Sequence, residues 1–292
     1  MPAAEVEISE ALARRLLEDQ HPDLADHPLW PVANGWDNVI FRLGDELCLR
    51  MPRRAEGAAL ALHEQRWLRD FAARLPLPIP APVRVGVPGR TYPWPWSVCP
   101  WFGGEVAAES TLTDERREAE RLGSFVAAMH VPAPSDAPTN PYRGFPVAEL
   151  TERVTANVAV LGHDRGDDVL GRWSELVDTP PWRGPPLWIH GDLHTANLLV
   201  DGGAISAVID FGDITGADPA VDLAIGWMLF APAERSAFRS SAGSGEFPVD
   251  EAMWARAEAW ALHFAVLYLL NSADNPRFTR MGEDLLSTLL DG

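Results

Sequence analysis

Lysine is absent from the chain: all 24 basic side chains among its 292 residues are arginine. That absence removes several chemistries at once. A Walker-type phosphate loop needs a lysine on the β- and γ-phosphates, and neither a Schiff base nor a lysine general base has a residue to use. With 42 acidic residues the formal net charge is −18, which repels polyanions, so no nucleic-acid partner is expected. Cysteine is scarce as well. Cys48 and Cys99 are too few for a disulfide framework or a cysteine-based zinc site, and two free thiols suit a reducing compartment. Long apolar runs are missing: residues 259–270 are interrupted by His263 and fall short of the ~20 residues that cross a bilayer. The first twenty residues carry acids and no apolar centre, so they do not read as a signal peptide. A cytoplasmic protein with no membrane partner is expected.

Hydrophobic residues make up 47% of the chain, enough for a full core, and the length allows one large or two modest domains. Ile8 to Asp19 reads as a short amphipathic helix, capped by Ser9. A hairpin follows, with Asn38 to Leu43 and Glu46 to Met51 as strands and Gly44-Asp45 as the turn. A helix from Gly57 to Arg74 carries Glu64 within an otherwise apolar stripe. After Pro-rich Leu75 to Pro82, two more strands are expected at Val83 to Val87 and Pro93 to Val98. The pattern breaks at Pro100 to Gly104. Beyond it the chain is mostly helical: a Thr113-capped helix to His130, a Pro-rich loop 132–146, and weaker helices at 147–161 and 168–177. Short strands are expected within 187–208. Strong helices at 218–230 and 250–270 bracket a small-residue loop at 240–246, and a last helix ends near Leu290. A β-rich small lobe (1–98) followed by a helical large lobe (99–292) is an α+β plan.

The densest polar cluster is His190-Gly191-Asp192-Leu193-His194-Thr195-Ala196-Asn197. Asp210-Phe211-Gly212 begins 13 residues past Asn197. Both follow apolar strands, which hold polar groups at a cleft. The spacing matches a kinase catalytic core, with Gly191 where an arginine is usual. Such chemistry needs one carboxylate (Asp192) near the attacking hydroxyl. It needs a second (Asp210) to hold Mg2+ across the phosphates, and an amide oxygen (Asn197) to complete the metal shell without adding charge.

The run WIHGDLHTANLLV…ISAVIDFGDITGADPAVDLA, residues 188–224, resembles the aminoglycoside phosphotransferase family, within the protein-kinase-like fold. Weaker similarity extends through the hairpin, the Glu64 helix, LPLPIPAPV and SVCPWFGGE. The resemblance implies a two-lobed α+β fold and transfer of the γ-phosphate of Mg-ATP or Mg-GTP to a hydroxyl of a small molecule, foremost an aminoglycoside or related antibiotic. It implies Asp192 as catalytic base, Asn197 and Asp210 as Mg2+ ligands, and His190 as a brace. Backbone groups near Val98, Cys99 and Trp101 would hold the purine, with Asn38 near the phosphates. The lysine that such enzymes normally present to the phosphates is matched here by Arg50, braced by Glu64. Arginine pairs bidentately with phosphate but is bulkier.

Other readings stand beside these. Asp192, Asn197 and Asp210 could each be turn residues. His190, Asp192 and His194 spell a possible metallohydrolase cluster, which leaves Asn197 and Asp210 unexplained. Arg50 and Glu64 could form an ordinary surface pair, with Arg53 or Arg54 taking the phosphates. Asp218 reads as a helix cap, Asp222 as a tie to the catalytic loop, and Asp213 as facing substrate or metal. Trp94, Trp96 and Trp101 could stack on a purine or fill a core. The acceptor could instead be a macrolide or a small hydroxyl metabolite, or the chain a non-catalytic kinase-fold binding protein. The charge of −18 suits a polycation, but equally an acidic soluble surface.

Overall fold

The computed structural model describes residues 3–162, 164–271 and 274–292. It divides into two compact units. The first takes the chain to Arg74, then Pro78–Gly103 and Val208–Gly212; the second holds Leu75–Leu77, Gly104–Ala207 and Asp213–Gly292. The segment that carries Asp210 therefore belongs to the first unit.

The first unit contains α1 (Glu10–Gln20), α2 (Ala55–Ala72) and strands β1 (Leu29–Asn34), β2 (Asn38–Leu43), β3 (Leu47–Pro52), β4 (Arg84–Gly86) and β5 (Trp96–Pro100). They form an antiparallel sheet in the order β1-β2-β3-β5-β4. Alternation along β3 sorts its two faces. Leu49 and Met51 join Leu16, Leu17, Phe41 and Val98 in one buried cluster with α1. Cys48 and Arg50 point the other way, opposite Cys99 and Ser97 of β5. Ser97 accepts a 3.1 Å bond from Gln65 of α2, so α2 covers that second face. Trp96 is fully buried in the first cluster and Trp94 packs against it. These two are core residues rather than purine platforms.

The second unit holds β6 (Glu105–Val106), α3 (Glu115–Met129), α4 (Thr151–Leu161), α5 (Gly166–Leu176), β7 (Leu187–Ile189), β8 (Leu198–Asp201), β9 (Ala204–Val208) and β10 (Thr215–Ala217). Helices α6 (Ala220–Leu223), α7 (Ile225–Leu229), α8 (Pro232–Ala242), α9 (Glu251–Leu270) and α10 (Pro276–Asp291) follow. Strand β7 pairs antiparallel with β10, Ile189 opposite Thr215, and β6, β8 and β9 form a small sheet. Among the described residues no helix is long and apolar enough to cross a membrane.

Two expectations change, and two elements appear that no sequence pattern indicated. Residues 29–34 form an edge strand, although Pro31 lacks the donor that a central strand would need. The cap of α3 is Asp114, whose carboxylate accepts from Arg117 N at 3.1 Å, while Thr113 N is bonded to Gly203 O. The helix expected over 218–230 is broken into α6 and α7. Residues 232–242 are helical, with Pro232 in the first turn where its missing N–H costs nothing.

Helix α9 is the centre of the second unit and is buried on nearly every side. Two of its polar residues are costly to bury. Arg256 forms a two-pronged pair with Asp218, at 2.7 and 3.2 Å, both side chains almost fully enclosed. Removing one charge strands the other, so Asp218→Asn should cost about 3–5 kcal/mol in denaturant unfolding. His263 is 1% exposed and its Nδ1 has no partner among the described residues. Burial, helped by the positive charges of Arg143 and Arg153, pushes its pKa down from 6.5 to about 3. The unfolded imidazole therefore binds a proton that the folded one refuses, and stability present above pH ~6.5 is lost toward pH 3. This group alone should remove ~1.4 kcal/mol per pH unit in that window. Unfolding at pH 7 and pH 5 should show a smaller acid loss in His263→Phe than in the wild type.

Candidate active site

In the second unit the loop after β7 is pinned from beneath. Asp222 of α6 is 1% exposed. Its carboxylate accepts 2.8 Å bonds from the backbone N–H groups of His190 and Gly191, and it lies 3.2 Å from His130 Nε2. Gly191 has φ +84°, and a Cβ there would stand 2.6 Å from the Asp213 carbonyl. Only glycine suits both demands, which explains why the arginine of kinase loops is missing. His190 is fully enclosed and its Nδ1 accepts from Asp192 N at 3.2 Å. Asp218 accepts from Ala220 N at 3.0 Å at the start of α6.

The loop presents Asp192, whose carboxylate is held on both oxygens. Oδ1 lies 2.9 Å from Arg143 Nη2, and Oδ2 lies 3.3 Å from His194 Nε2 and 3.4 Å from Asn197 Nδ2. His194 Nδ1 accepts from Ala196 N, which leaves Nε2 as the nitrogen that carries the proton. Asn197 Nδ2 also donates 2.9 Å to the Asp192 carbonyl and lies 3.3 Å from His194 Nε2. Burial alone would raise the Asp192 pKa. The neighbouring His194 and the charge of Arg143 outweigh burial and hold the carboxyl far below the usual range. Asp192 is thus a fixed anion, suited to orienting a hydroxyl rather than to strong proton abstraction.

Arg143 escaped the sequence reading. It lies in the Pro-rich segment 132–146, where no periodicity marks a functional position. The structure ties that segment down. Arg143 Nη2 bridges Asp192 and Asp213, at 2.9 and 3.4 Å, and its guanidinium stands 5.3 Å over the Phe264 ring. Asn140 donates to Asp213 at 2.6 Å, and Thr215 donates to the Pro138 carbonyl at 2.6 Å. The only available signal was an arginine beside Gly144 in a chain where every cation is an arginine.

In the first unit a second polar group gathers on the α2 face of the sheet. Arg50 Nη2 lies 3.0 Å from Glu64 Oε1 and 3.8 Å from Asp210 Oδ1. Burial would lower the Arg50 pKa, but Glu64 and Asp210 hold it above its ordinary value. Glu64 is pushed up to about 7, chiefly by burial and further by Asp210, with Arg50 opposing. Asp210 has φ +64°, the only non-glycine positive φ among the described residues, and its side chain is 60% exposed. A left-handed aspartate costs energy and marks a position held for its side chain.

Arg53 and Arg54 are engaged elsewhere. Arg53 Nη1 donates to Gly35 O at 3.0 Å, and Arg54 clamps Asp37 at 2.8 Å. Gly35 N in turn donates to the Asn38 carbonyl at 2.9 Å, which closes the loop before β2. Val98 is enclosed and its carbonyl accepts from Val83 N, at 2.8 Å; Cys99 is enclosed opposite Cys48. Trp101 N donates to Glu46 O at 2.7 Å, and the Arg42 guanidinium covers the Trp101 ring at 4.4 Å. No group of three His, Cys, Asp or Glu among the described residues is placed to hold a metal ion.

Comparisons with known proteins identify the family and the fold. The model of the phosphotransferase enzyme family matches residues 29–260. The GDP complex of aminoglycoside 2'-phosphotransferase-IIIa superposes with a TM-score of 0.73 at 17% identity, covering 97% of this chain and 99% of that one. Macrolide 2'-phosphotransferase MphH from Brachybacterium faecium gives 0.62 at 20% identity, over 94% and 97%. The GDP and kanamycin complex of APH(2")-IIIa gives 0.68 at 18%, over 94% and 97%. The fold is thus the two-lobed α+β fold of these kinase-like enzymes, and the chain belongs to the phosphotransferase enzyme family.

Proposed function

We propose that the protein moves the γ-phosphoryl group of Mg-ATP or Mg-GTP to a hydroxyl of a small molecule, with Asp192 orienting that hydroxyl. The observation that carries this reading is the state of Asp192, an anion gripped by Arg143 and His194 at the tip of a strand. Such a group cannot serve a reaction that needs a strong base. It serves phosphoryl transfer, where catalysis rests on position and on neutralised charge. The similar structures with GDP, and a streptomycin–ATP ternary complex of a similar fold, support a purine nucleotide as donor. Acceptors of the aminoglycoside and macrolide kinds come from the same neighbours.

Asn197 and Asp210 supply one amide and one carboxylate oxygen. Each is a hard donor of the kind Mg2+ takes beside phosphate oxygens. When bound, the ion would neutralise charge on the phosphates. Arg50 would pair with the nucleotide phosphates, with Glu64 orienting its guanidinium, and Asp213 would steady Arg143. Asn38 and the Val98–Trp101 segment remain the places for the rest of the nucleotide.

Two measurements test the reading. Asp192→Asn should keep the circular dichroism of the wild type and lower kcat for phosphate transfer by about 10^2–10^4-fold. Unchanged transfer to the phosphorylated acceptor would rule out the role assigned to Asp192. Absence of nucleotide-dependent transfer to any acceptor, across aminoglycosides, macrolides and small hydroxyl metabolites, would instead favour a non-catalytic binding protein. Separately, Arg50→Lys should raise the nucleotide KM several-fold, because an ammonium cannot reproduce the planar fork. An unchanged KM would mean that the pocket is not shaped around arginine.

A further inference from the structure

The Pro-rich segment 132–146 is fastened at both ends and along its length. Trp188 N donates to the Val131 carbonyl and Ala133 N to the Pro186 carbonyl, each at 2.9 Å. Thr215 and Asn140 bond across to Pro138 and Asp213. Asp218 N donates to the Gly144 carbonyl at 3.0 Å. Gly144 has φ +71°, and a Cβ there would stand 2.2 Å from the Ala217 Cβ, so only glycine suits the approach. Arg143, one residue earlier, is thereby delivered to a fixed place by a segment with no helix of its own.

The donors of Arg143 are not used up in that place. A guanidinium carries five N–H groups. Arg256, the structural cation of this unit, spends two nitrogens on Asp218 and the third on the Pro180 carbonyl, and its side chain is 2% exposed. Arg143 is 17% exposed, and its Nη2 serves both Asp192 and Asp213. Its Nε is buried without a partner among the described residues, and its Nη1 has only the adjacent Tyr142 carbonyl, at 3.4 Å. Nη1 thus keeps donor capacity. The Asp192 carboxylate is unevenly filled as well. Oδ2 faces His194 Nε2 and Asn197 Nδ2, while Oδ1 has Arg143 alone among the described residues. A carboxylate oxygen accepts two hydrogen bonds, so the open position on this partly exposed carboxylate is on Oδ1. A hydroxyl oriented there shares the oxygen with Arg143 and stands about 3–5 Å from its guanidinium nitrogens.

Resting on the phosphotransferase reading, we propose that Arg143 is a second catalytic residue: the acceptor hydroxyl takes the open position on Asp192 Oδ1, and Arg143 Nη1 donates to an oxygen of the phosphoryl group as it reaches that hydroxyl. The acceptor oxygen forms its bond to phosphorus as the bond from phosphorus to the β-phosphate oxygen breaks, and the nucleoside diphosphate leaves with that electron pair. The hydroxyl proton stays until the new bond is largely formed. It is then acidic enough to pass to Asp192 Oδ1 and on to solvent. Charge is spread over the phosphoryl oxygens throughout, and a donor fixed in advance stabilises it without reorganising. In a chain without lysine, a guanidinium brought from a distant segment supplies that permanent charge.

The test uses the full chain with the acceptor that the transfer screen identifies. The chemical step is read in single turnover with the ordinary nucleotide and with its analogue carrying sulfur for one γ-phosphoryl oxygen. Arg143→Gln should keep the wild-type circular dichroism and nucleotide affinity, and should slow the step about 10^2–10^3-fold, as loss of one preorganised donor does. Arg143→Lys, which keeps the charge without the fork, should be slowed less. The oxygen-to-sulfur rate ratio should shrink about three- to tenfold in Arg143→Gln, part of the worth of one charge-assisted hydrogen bond. Millimolar guanidinium should restore part of the rate to Arg143→Ala and leave the wild type unchanged. A residue that only positions Asp192 would slow the step and leave the oxygen-to-sulfur ratio as it was; that result, or an unchanged rate in Arg143→Gln, overturns the proposal. Should Arg143→Gln not fold, the ratio in Arg143→Lys decides in the same way. Absence of transfer by the wild type to every acceptor sinks the phosphotransferase reading and this proposal with it, whereas transfer with an unchanged ratio sinks this proposal alone.

Discussion

The carboxylate of Asp222 is the fixed point on which the catalytic loop depends. It sits on a four-residue helix, almost without solvent, and accepts the two successive backbone N–H groups of His190 and Gly191. A buried anion of this kind is tolerable only when hydrogen-bonded, and here the donors belong to the loop that must be held. The same bonds fix Gly191 in a left-handed conformation beside the Asp213 carbonyl. That conformation turns the chain so that Asp192 projects from the end of β7. Packing of α6 against α9, through the Asp218–Arg256 pair, then connects the loop to the core of its unit.

Because lysine is missing, every cation available for these tasks is a guanidinium. The consequences are visible at three sites. Arg256 fits Asp218 with two prongs and gives its third nitrogen to the Pro180 carbonyl. Arg143 bridges two carboxylates while resting over an aromatic face. Arg50 reaches Glu64 and Asp210 from one nitrogen. A planar, weakly hydrated group with five donors can be enclosed in such places at lower cost than an ammonium. The excess of acids therefore gives a poor picture of the charge inside: the carboxylates nearest the loop are matched, and most of the −18 lies elsewhere.

Legibility in the sequence followed the strength of local signals. Strand β2 runs over residues 38–43 as the alternation of Val39, Phe41 and Leu43 indicated, and the turn at Gly44 has the positive φ that the hairpin needed. The polar cluster at 190–197 was legible because its residue types and spacing have few structural uses in combination. The role of Asp222 was legible too, from its place four residues after a helix-capping aspartate. Elements without a pattern were missed. In α8 only Phe238 and Ala242 are buried, so its composition of Ala, Ser and Arg showed no apolar stripe. Strand β1 has a single buried residue, Leu29, and a proline. Arg143 reaches its partners 49 residues away from Asp192, through a loop whose course is set by tertiary contacts such as Thr215 on Pro138. Nothing in the residues 132–146 encodes that course locally.

The pair of Arg50 and Glu64 shows where a sequence anomaly becomes a physical constraint. Glu64 interrupted an apolar helical stripe, and the structure places it at 4% exposure beneath the sheet. Its carboxyl is raised to about 7 mainly because burial penalises the anion, and Arg50 only partly compensates. The guanidinium in turn is shared with Asp210, a residue that stores backbone strain at φ +64°. Two carboxylates thus share one cation, Glu64 enclosed and Asp210 largely exposed. The 3.8 Å separation to Asp210, against 3.0 Å to Glu64, already identifies which contact is the weaker. Glu64 is thus the nearer partner of Arg50 and Asp210 the looser one.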